Sequence, residues 1–189
     1  MRRFRRERLP AGTLENLIEL ACLAPSVGLS QPWRFVIVED QTVRAGIRQV
    51  FASCNAEALA AQSPSRSALY AQLKLAGLEE APSHLAVFSD RAAEQGHGLG
   101  SRTMPEMIEY SVVTAVHSMW LAARAQGIGM GWISILDPQK VAALLDVPSE
   151  WKFIGYFCLG YPENEGAVPE LEQLGWEQRQ PPVTFVIRR

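Results

Sequence analysis

Apolar positions recur at the helical period in several parts of the chain. The run that follows Thr13 predicts an amphipathic helix, capped by Thr13 and ending near Pro25. Residues 106–126 are apolar on most sides, which predicts a central helix. Three further helices are predicted over residues 41–52, residues 67–78, and from a capping Asp137 through Leu144.

Short runs rich in β-branched and aromatic residues predict the strands, over residues 35–39, 84–89, 130–135, 153–159 and, at the end of the chain, 183–187. Helices and strands alternate irregularly, so the class is α/β or α+β. No internal repeat or linker divides the sequence, and residues 1–189 are therefore interpreted as one domain.

Residues 91–105 break the periodic pattern. The segment holds Gly96, Gly98 and Gly100 among polar residues and has neither a helical nor a strand period. A long segment of this kind in a small domain is typical of a functional loop, so we predict a mobile loop or lid.

Composition excludes several classes of function. The chain has 189 residues, 48% of them apolar, and a net charge of −2, so it can bury a core but shows no electrostatic footprint for nucleic acid. No apolar run approaches the roughly 20 residues that span a bilayer. The three cysteines lack metal-ligand spacing and are predicted to be buried thiols of a reduced, cytoplasmic protein.

The histidines do not form a cluster. His117 lies in the apolar helix and is predicted to be a core histidine with its hydrogen bonds satisfied, and His84 is predicted to pack at the start of a strand. His97 lies in the glycine-rich segment and is predicted to be solvated. The glycines at 127, 129 and 131 precede a strand instead of linking a strand to a helix, so they do not indicate a dinucleotide fold.

The segment 24–33, Ala-Pro-Ser-Val-Gly-Leu-Ser-Gln-Pro-Trp, concentrates candidate chemistry in one loop. Its backbone N–H groups, hydroxyls, amide and indole suit the edge of a planar heterocycle. Ser134 ends a predicted strand, where ligand sites are common, although its hydroxyl can equally satisfy a local backbone group. Arg2 and Arg179 are of the residue type that binds phosphate, against the default of a solvated surface arginine.

Four features together resemble the FMN-dependent nitroreductase superfamily over essentially the whole chain: Arg2-Arg3-Phe4 before the first helix, the 24–33 loop, Trp120-Leu121-Ala122-Ala123 before Gly127, and Leu159-Gly160-Tyr161-Pro162. Three segments are similar to the branch that makes 5,6-dimethylbenzimidazole, namely residues 26–33, residues 130–135 and the run from Pro169 to Arg179. The asparagine near Leu29 and the Glu-Gly pair near Ser134 of a typical nitroreductase are absent.

The resemblance implies an α+β homodimer with a mixed central sheet flanked by helices, exchanged terminal segments and two flavin sites at the interface. It also implies that reduced FMN is a substrate: with O2, its isoalloxazine is fragmented to 5,6-dimethylbenzimidazole, the lower ligand of cobalamin, and erythrose 4-phosphate. NAD(P)H would act through a separate flavin reductase. No metal, nucleic acid or membrane partner is implied.

The resemblance also assigns the site residues. Arg2 would hold the flavin phosphate or ribityl group, Lys74 would make a polar contact, and Arg179 would clamp the phosphate. Two further groups are implied: a loop that meets the flavin of the partner subunit, comprising Pro25, Ser26, Val27 and Gly28, and a segment facing N5 and the ring edge, comprising Trp132, Ile133, Ser134 and Ile135, in which Ser134 is the candidate catalytic residue.

One departure from the family pattern concerns the first residues. The pattern reads Arg-Arg-Asp-x-Arg, and here Met1 stands at x and Arg2 at the last arginine. We expect the Arg-Arg-Asp to lie upstream of the given start. Three alternatives remain at this stage: an NAD(P)H-dependent nitroreductase or quinone reductase that recycles FMN, a flavin-binding protein without catalysis, and a structural domain whose loop matches by coincidence.

Overall fold

The computed structural model describes residues 1–73, 75–164 and 166–189. Its helices and strands are, in chain order, α1 Thr13–Cys22, β1 Trp33–Ile37, α2 Gln41–Ala60, α3 Pro64–Gln72, α4 Gly77–Glu80, β2 Ser83–Asp90, α5 Met107–Ala125, β3 Gly129–Ile133, α6 Pro138–Leu144, β4 Trp151–Gly160 and α7 Glu170–Gln173. Short 3-10 turns occupy Val27–Leu29 and Pro182–Phe185.

The strands form one sheet in the order β1-β2-β4-β3. All three pairings are antiparallel, with Phe35 opposite Val87, Leu85 opposite Phe157, and Trp132 opposite Phe157. The α+β class is therefore confirmed. The expectation of a mixed sheet is wrong for the strands that the structure describes, because none of them pairs in parallel.

Alternation along the strands divides the core between two helical layers. Leu85, Val87 and Phe157 pack with α1 and α5 on one face of the sheet. Ala86 and Tyr156 pack on the other face in a cluster that also contains buried residues of α2, α4 and α6. β2 and β4 are covered on both sides, so β2 is buried from His84 to Ser89 and β4 from Gly155 to Gly160, whereas the first four residues of β4 are partly buried or exposed.

The starts of the helices follow local chemistry, with one correction. The carboxylate of Asp137 accepts the N–H groups of Gln139 and Lys140, which confirms it as the cap of α6. Thr13 is not the cap of α1: Gly12 holds that position with φ of 80°, and no side chain caps the helix. The positive φ explains the choice of glycine there.

Several predicted boundaries shift. β1 begins two residues earlier than expected, at Trp33, and α2 continues eight residues beyond Ala52. The predicted helix over 67–78 divides into α3 and α4. The terminal strand over 183–187 is wrong: Pro182–Phe185 is a 3-10 turn, and Pro182 suits its first position because the fixed φ of proline matches the start of a helical turn.

α5 is central but presents two different faces. Val112, Ala115 and Met119 are fully buried against the sheet. The opposite face carries Tyr110 and Trp120, which are 53% and 40% exposed. Two further apolar residues of this helix, Val113 and Leu121, are also exposed.

His117 belongs to the exposed face of α5, where its ring stacks on Trp120 at 5.8 Å. The prediction that it is a core histidine is therefore wrong. His84 is buried and His97 exposed, as predicted. Cys158 is buried, whereas Cys22 and Cys54 are only half-buried, and all three are free thiols. No helix of the described residues is both long and apolar enough to cross a membrane.

Candidate functional site

The loop over residues 25–31 is a tight turn in an uncommon conformation. Gly28, Leu29 and Gln31 have φ values of 56°, 57° and 43°. Left-handed backbone is unfavourable for side chains such as those of leucine and glutamine, so such residues persist only where their surroundings fix them. Inside the loop, the backbone N–H of Gln31 donates to the Ser26 hydroxyl at 3.1 Å.

A hydrogen bond to α5 holds the same loop in place. The backbone N–H of Val27 donates to the Ser111 hydroxyl at 3.0 Å, and that hydroxyl donates to the Met107 carbonyl at 2.6 Å. The sequence suggested that the N–H groups of this loop are offered to a ligand. For Val27 this is wrong, because a hydroxyl of the same chain already accepts its N–H.

The glycine-rich segment 91–105 lies over this loop. The Gln95 amide donates to the Leu29 carbonyl at 2.7 Å and to the Gln31 side-chain oxygen at 3.1 Å. A Cβ on Gly96 would lie 2.8 Å from the Gly28 carbonyl oxygen, which explains why glycine is needed at this crossing. That the segment is a mobile lid stays a prediction.

A cavity of about 310 Å³ lies between the loop and the segment, lined in part by Val27, Ser30, Arg91 and Ile108. Ser30 is 5% exposed, and within the described residues its hydroxyl has no hydrogen-bond partner. A buried hydroxyl without a partner is costly in a filled core. The cavity therefore offers the Arg91 guanidinium and the Ser30 hydroxyl, among other polar groups, to a polar molecule.

An ion pair links the first residue of the 91–105 segment to α5, the helix that follows it. The Arg91 side chain pairs with the Glu109 carboxylate near the start of α5, and the Lys152 ammonium lies 3.5 Å from the same oxygen. Burial by itself would raise the pKa of Glu109, but the hydrogen bond from Arg91 and the charge of Lys152 lower it below its usual value. Glu109 therefore stays ionised and holds residue 91 beside α5.

The end of β3 positions the second group of predicted residues. The Trp132 indole, 46% exposed, lies over Gly155 and 5.0 Å from the Phe157 ring. Ser134 follows the strand and is exposed, and Ile135 is half-buried. The side chain of Ile133 points to the opposite face and is 2% exposed in the core, so only its backbone is placed to meet a ligand.

The first residues of the chain cross β3. A Cβ on Gly131 would lie 2.5 Å from the Met1 carbonyl oxygen, so glycine permits the segment to lie against the strand. The Arg2 guanidinium is half-buried and donates to the Leu73 carbonyl at 2.9 Å. Burial lowers its pKa, although the nearby Glu170 opposes that shift. Arg2 therefore lies beside Leu73, the residue that precedes Lys74 in the sequence. Lys74 itself is outside the described residues.

The C-terminal part of the chain lies close to the same region. The Arg3 guanidinium is 3.8 Å from the Glu170 carboxylate, and Trp176 packs against Tyr70 of α3 at 6.1 Å. Arg179 follows as an exposed residue. This arrangement brings the C-terminal segment towards Arg2.

The predicted residues thus form two groups in one chain. Pro25, Ser26, Val27 and Gly28 precede β1, whereas Trp132 and Ser134 belong to the opposite edge of the sheet, beyond β2 and β4. β1 and β3 are separated by three inter-strand spacings, so the two edges of the sheet lie about 14 Å apart. The sequence did not single out Ser111, Gln95 or Glu109. A serine and a glutamate within the apolar helix α5 are polar residues at buried positions, and that pattern could have indicated a buried hydrogen-bonding role.

Comparisons with known proteins agree with one another. The model of the nitroreductase family matches residues 1–161. The chain is 56% identical over 181 residues to the 5,6-dimethylbenzimidazole synthase of Rhodospirillum rubrum, covering 96% of this chain and 86% of that protein. It is 38% identical to a synthase of the same name from Rhodobacter capsulatus, covering 96% and 87%.

A solved structure with a similar fold is that of an iodotyrosine deiodinase bound to FMN and 3-iodo-L-tyrosine. The TM-score is 0.71 at 28% identity, and the match covers 89% of this chain and 92% of that chain.

Proposed function

Because the chain belongs to the nitroreductase family, and within it matches the 5,6-dimethylbenzimidazole synthases, we propose that it catalyses the oxygen-dependent fragmentation of reduced FMN. The products include 5,6-dimethylbenzimidazole, for the lower ligand of cobalamin, and erythrose 4-phosphate, and the remaining pyrimidine-ring atoms of the isoalloxazine leave as a further fragment. The observation that carries the proposal is that more than half of the positions aligned with the R. rubrum synthase are identical, over nearly the whole chain.

The described residues suit a flavin with a phosphate tail. Arg2 and Arg179 supply guanidinium donors for the phosphate. The polar contact expected of Lys74 lies outside the described residues and rests on the resemblance alone. The exposed face of the Trp132 indole, fixed over Gly155, suits a planar ring. The bound flavin supplies the electrons that reduce O2, and Ser134, exposed at the end of β3, donates or accepts a hydrogen bond at the reacting ring.

The proposed site needs two copies of the chain. The loop formed by Pro25, Ser26, Val27 and Gly28 and the segment around Ser134 lie at opposite edges of one sheet, which supports a site in which one copy gives the loop and the other the segment. The exposed apolar face of α5 supports a homodimer, because such patches mark interfaces. The exposed apolar tail at Val183, Phe185 and Ile187 supports exchanged terminal segments.

The segment 91–105 acts in this proposal as a cover that keeps water from the flavin, supported by its contacts with the 25–31 loop. The electrons come from a separate NAD(P)H-dependent flavin reductase. We place the reaction in the cytoplasm, where the three free thiols would remain reduced.

The decisive experiment mixes the protein with chemically reduced FMN under argon, then admits air. We expect 5,6-dimethylbenzimidazole, identified by chromatography and mass, in proportion to protein. A version extended upstream by Arg-Arg-Asp is run in parallel. Reoxidised FMN without product from both versions would contradict the proposal, and steady NADH turnover with a nitroaromatic or quinone would favour a flavin-recycling reductase instead.

Replacing Ser134 by alanine tests its role. We expect S134A to form product at least about 100-fold more slowly, because a hydroxyl that hydrogen-bonds the reacting ring acts mainly in the transition state. Its Kd for FMN should change less than threefold. The control is S53A, an exposed serine on α2, which should match the parent protein in both measurements. Parent-like product formation by S134A would remove this residue from the chemistry.

A further inference from the structure

We propose that Ser111, on the buried side of α5, is a positioning residue that fixes the 25–31 loop in the conformation that meets the flavin. The proposal rests on the proposed function for the identity of the ligand, but the contact itself is a feature of this chain. Ser111 is 4% exposed and lies 84 positions from Val27 in the sequence, so the pairing joins two distant parts of the core.

The hydrogen-bond directions at Ser111 are unambiguous. The Val27 N–H can only donate, so the hydroxyl oxygen accepts it at 3.0 Å. The hydroxyl hydrogen is then available to the Met107 carbonyl at 2.6 Å, a bond one turn back along the helix. The hydroxyl therefore accepts one hydrogen bond and donates one, and the bond to Met107 holds its rotamer against the helix.

The loop requires such an external anchor. Val27 begins the 3-10 turn Val27–Leu29, and the first N–H groups of a helical turn have no partner within it. Ser26 precedes the turn, and its hydroxyl accepts the N–H of Gln31. The side chain at that position does not reach the first N–H of a turn, so the Val27 N–H takes its partner from another element, the Ser111 hydroxyl of α5.

The hydrogen bond from Val27 to Ser111 matters because the backbone of the loop is strained. Leu29, the last residue of the turn, and Gln31, two residues later, are both held at positive φ. Without the bond to Ser111, the Val27 N–H is left unpaired beneath the loop, and the strained residues are free to relax. Pro25, Ser26 and Gly28 then lose their fixed arrangement without any change in their own side chains.

The chain offers a matched control in Ser118. This residue lies on the same helix, and its hydroxyl also donates one turn back, to the Thr114 carbonyl at 3.1 Å. The described hydrogen bonds of Ser118 include none to the 25–31 loop. S111A and S118A therefore remove the same kind of helical contact, and only S111A removes the contact with the loop.

The first measurement is amide hydrogen exchange in the 189-residue protein, using a peptide that contains Val27. We expect S111A to exchange this amide at least about tenfold faster than the parent, and S118A to leave it unchanged. S111T, which keeps a hydroxyl, should restore protection. Unchanged exchange in S111A would overturn the proposal, and this result does not depend on any flavin chemistry.

The second measurement separates positioning from stability. We expect S111A to raise the Kd for FMN about tenfold and to alter the absorption spectrum of bound flavin, with both recovered in S111T. Equal FMN affinity and an equal spectrum in S111A and the parent would contradict the positioning role. Failure of both the parent and the version extended upstream by Arg-Arg-Asp to form product would instead contradict the proposed function.

Discussion

At the scale of single residues, His84 shows how burial determines a protonation state. Its Nε2–H donates to the Ala81 carbonyl at 3.2 Å, and the Tyr156 hydroxyl donates to Nδ1 at 2.9 Å. The ring is 2% exposed. Burial, reinforced by the charge of Arg44, lowers the pKa of His84 from 6.5 to about 4.

This shift predicts a loss of stability in mild acid. Above pH 6.5 the ring is neutral in both states, and below it the unfolded chain binds a proton that the folded protein refuses until about pH 4. We expect His84 to lower the free energy of unfolding by about 2 kcal/mol between pH 7 and pH 5. Urea unfolding at a series of pH values measures this.

Two variants identify the source of that loss. H84Q should flatten the dependence between pH 7 and pH 5, because glutamine does not titrate. H97Q, at an exposed histidine, should keep the full dependence of the parent. An undiminished slope in H84Q would assign the acid sensitivity to other groups.

At the scale of elements, the pairing of β3 with β4 sets the orientation of the Trp132 indole. A Cβ on Gly155 would overlap the indole nitrogen and lie 2.8 Å from its Cδ1. Glycine at this position therefore lets the indole lie flat on the strand. Trp132 is accessible enough to rotate away if that space is filled.

The variant G155A tests this packing. We expect the displaced indole to change its fluorescence and to raise the Kd for FMN about tenfold, while the free energy of unfolding falls by only about 1 kcal/mol. G166A is the matched control, since the atoms nearest to its Cβ would be 3.8 Å away. An unchanged Kd in G155A would show that the indole does not contact the flavin.

The elements also show how far sequence reasoning reaches. Asp137 marks the start of α6 because its cap is local, and β2 follows from a continuous apolar run. α2 extends to Ala60 because helix propensity continues after its apolar period fades. His117 was misplaced because a helix that is apolar all round does not reveal which face the sheet covers.

The site was predictable only in part, and for a physical reason. Loop residues such as Ser26 and the serine after β3 were identifiable from a resemblance between motifs. The contact between Ser111 and Val27 was not, because it depends on how α5 lies under the loop. Such long-range contacts follow from tertiary packing and leave no local pattern.

At the scale of the whole molecule, the exposed face of α5 is an apolar surface that the rest of the described chain leaves uncovered. We expect W120E to convert a dimer into monomers in sedimentation velocity runs, because a charge cannot be desolvated in an apolar contact. It should also weaken FMN binding at least about tenfold, since each site would lose the loop residues that the partner copy is proposed to supply.

The control for this variant is A143E, a glutamate at an exposed position on α6. A143E should sediment and bind FMN like the parent. If W120E remained dimeric with parent-like affinity, the interface would have to lie elsewhere on the surface.

The separation of the two residue groups at opposite sheet edges has a thermodynamic consequence. If neither copy holds a complete site, ligand occupancy and self-association are linked equilibria. Bound flavin lowers the dissociation constant of the dimer by the same factor by which dimerisation lowers the Kd for flavin. The apparent affinity then rises with protein concentration, so a dilute preparation releases its flavin without any change in sequence, pH or temperature.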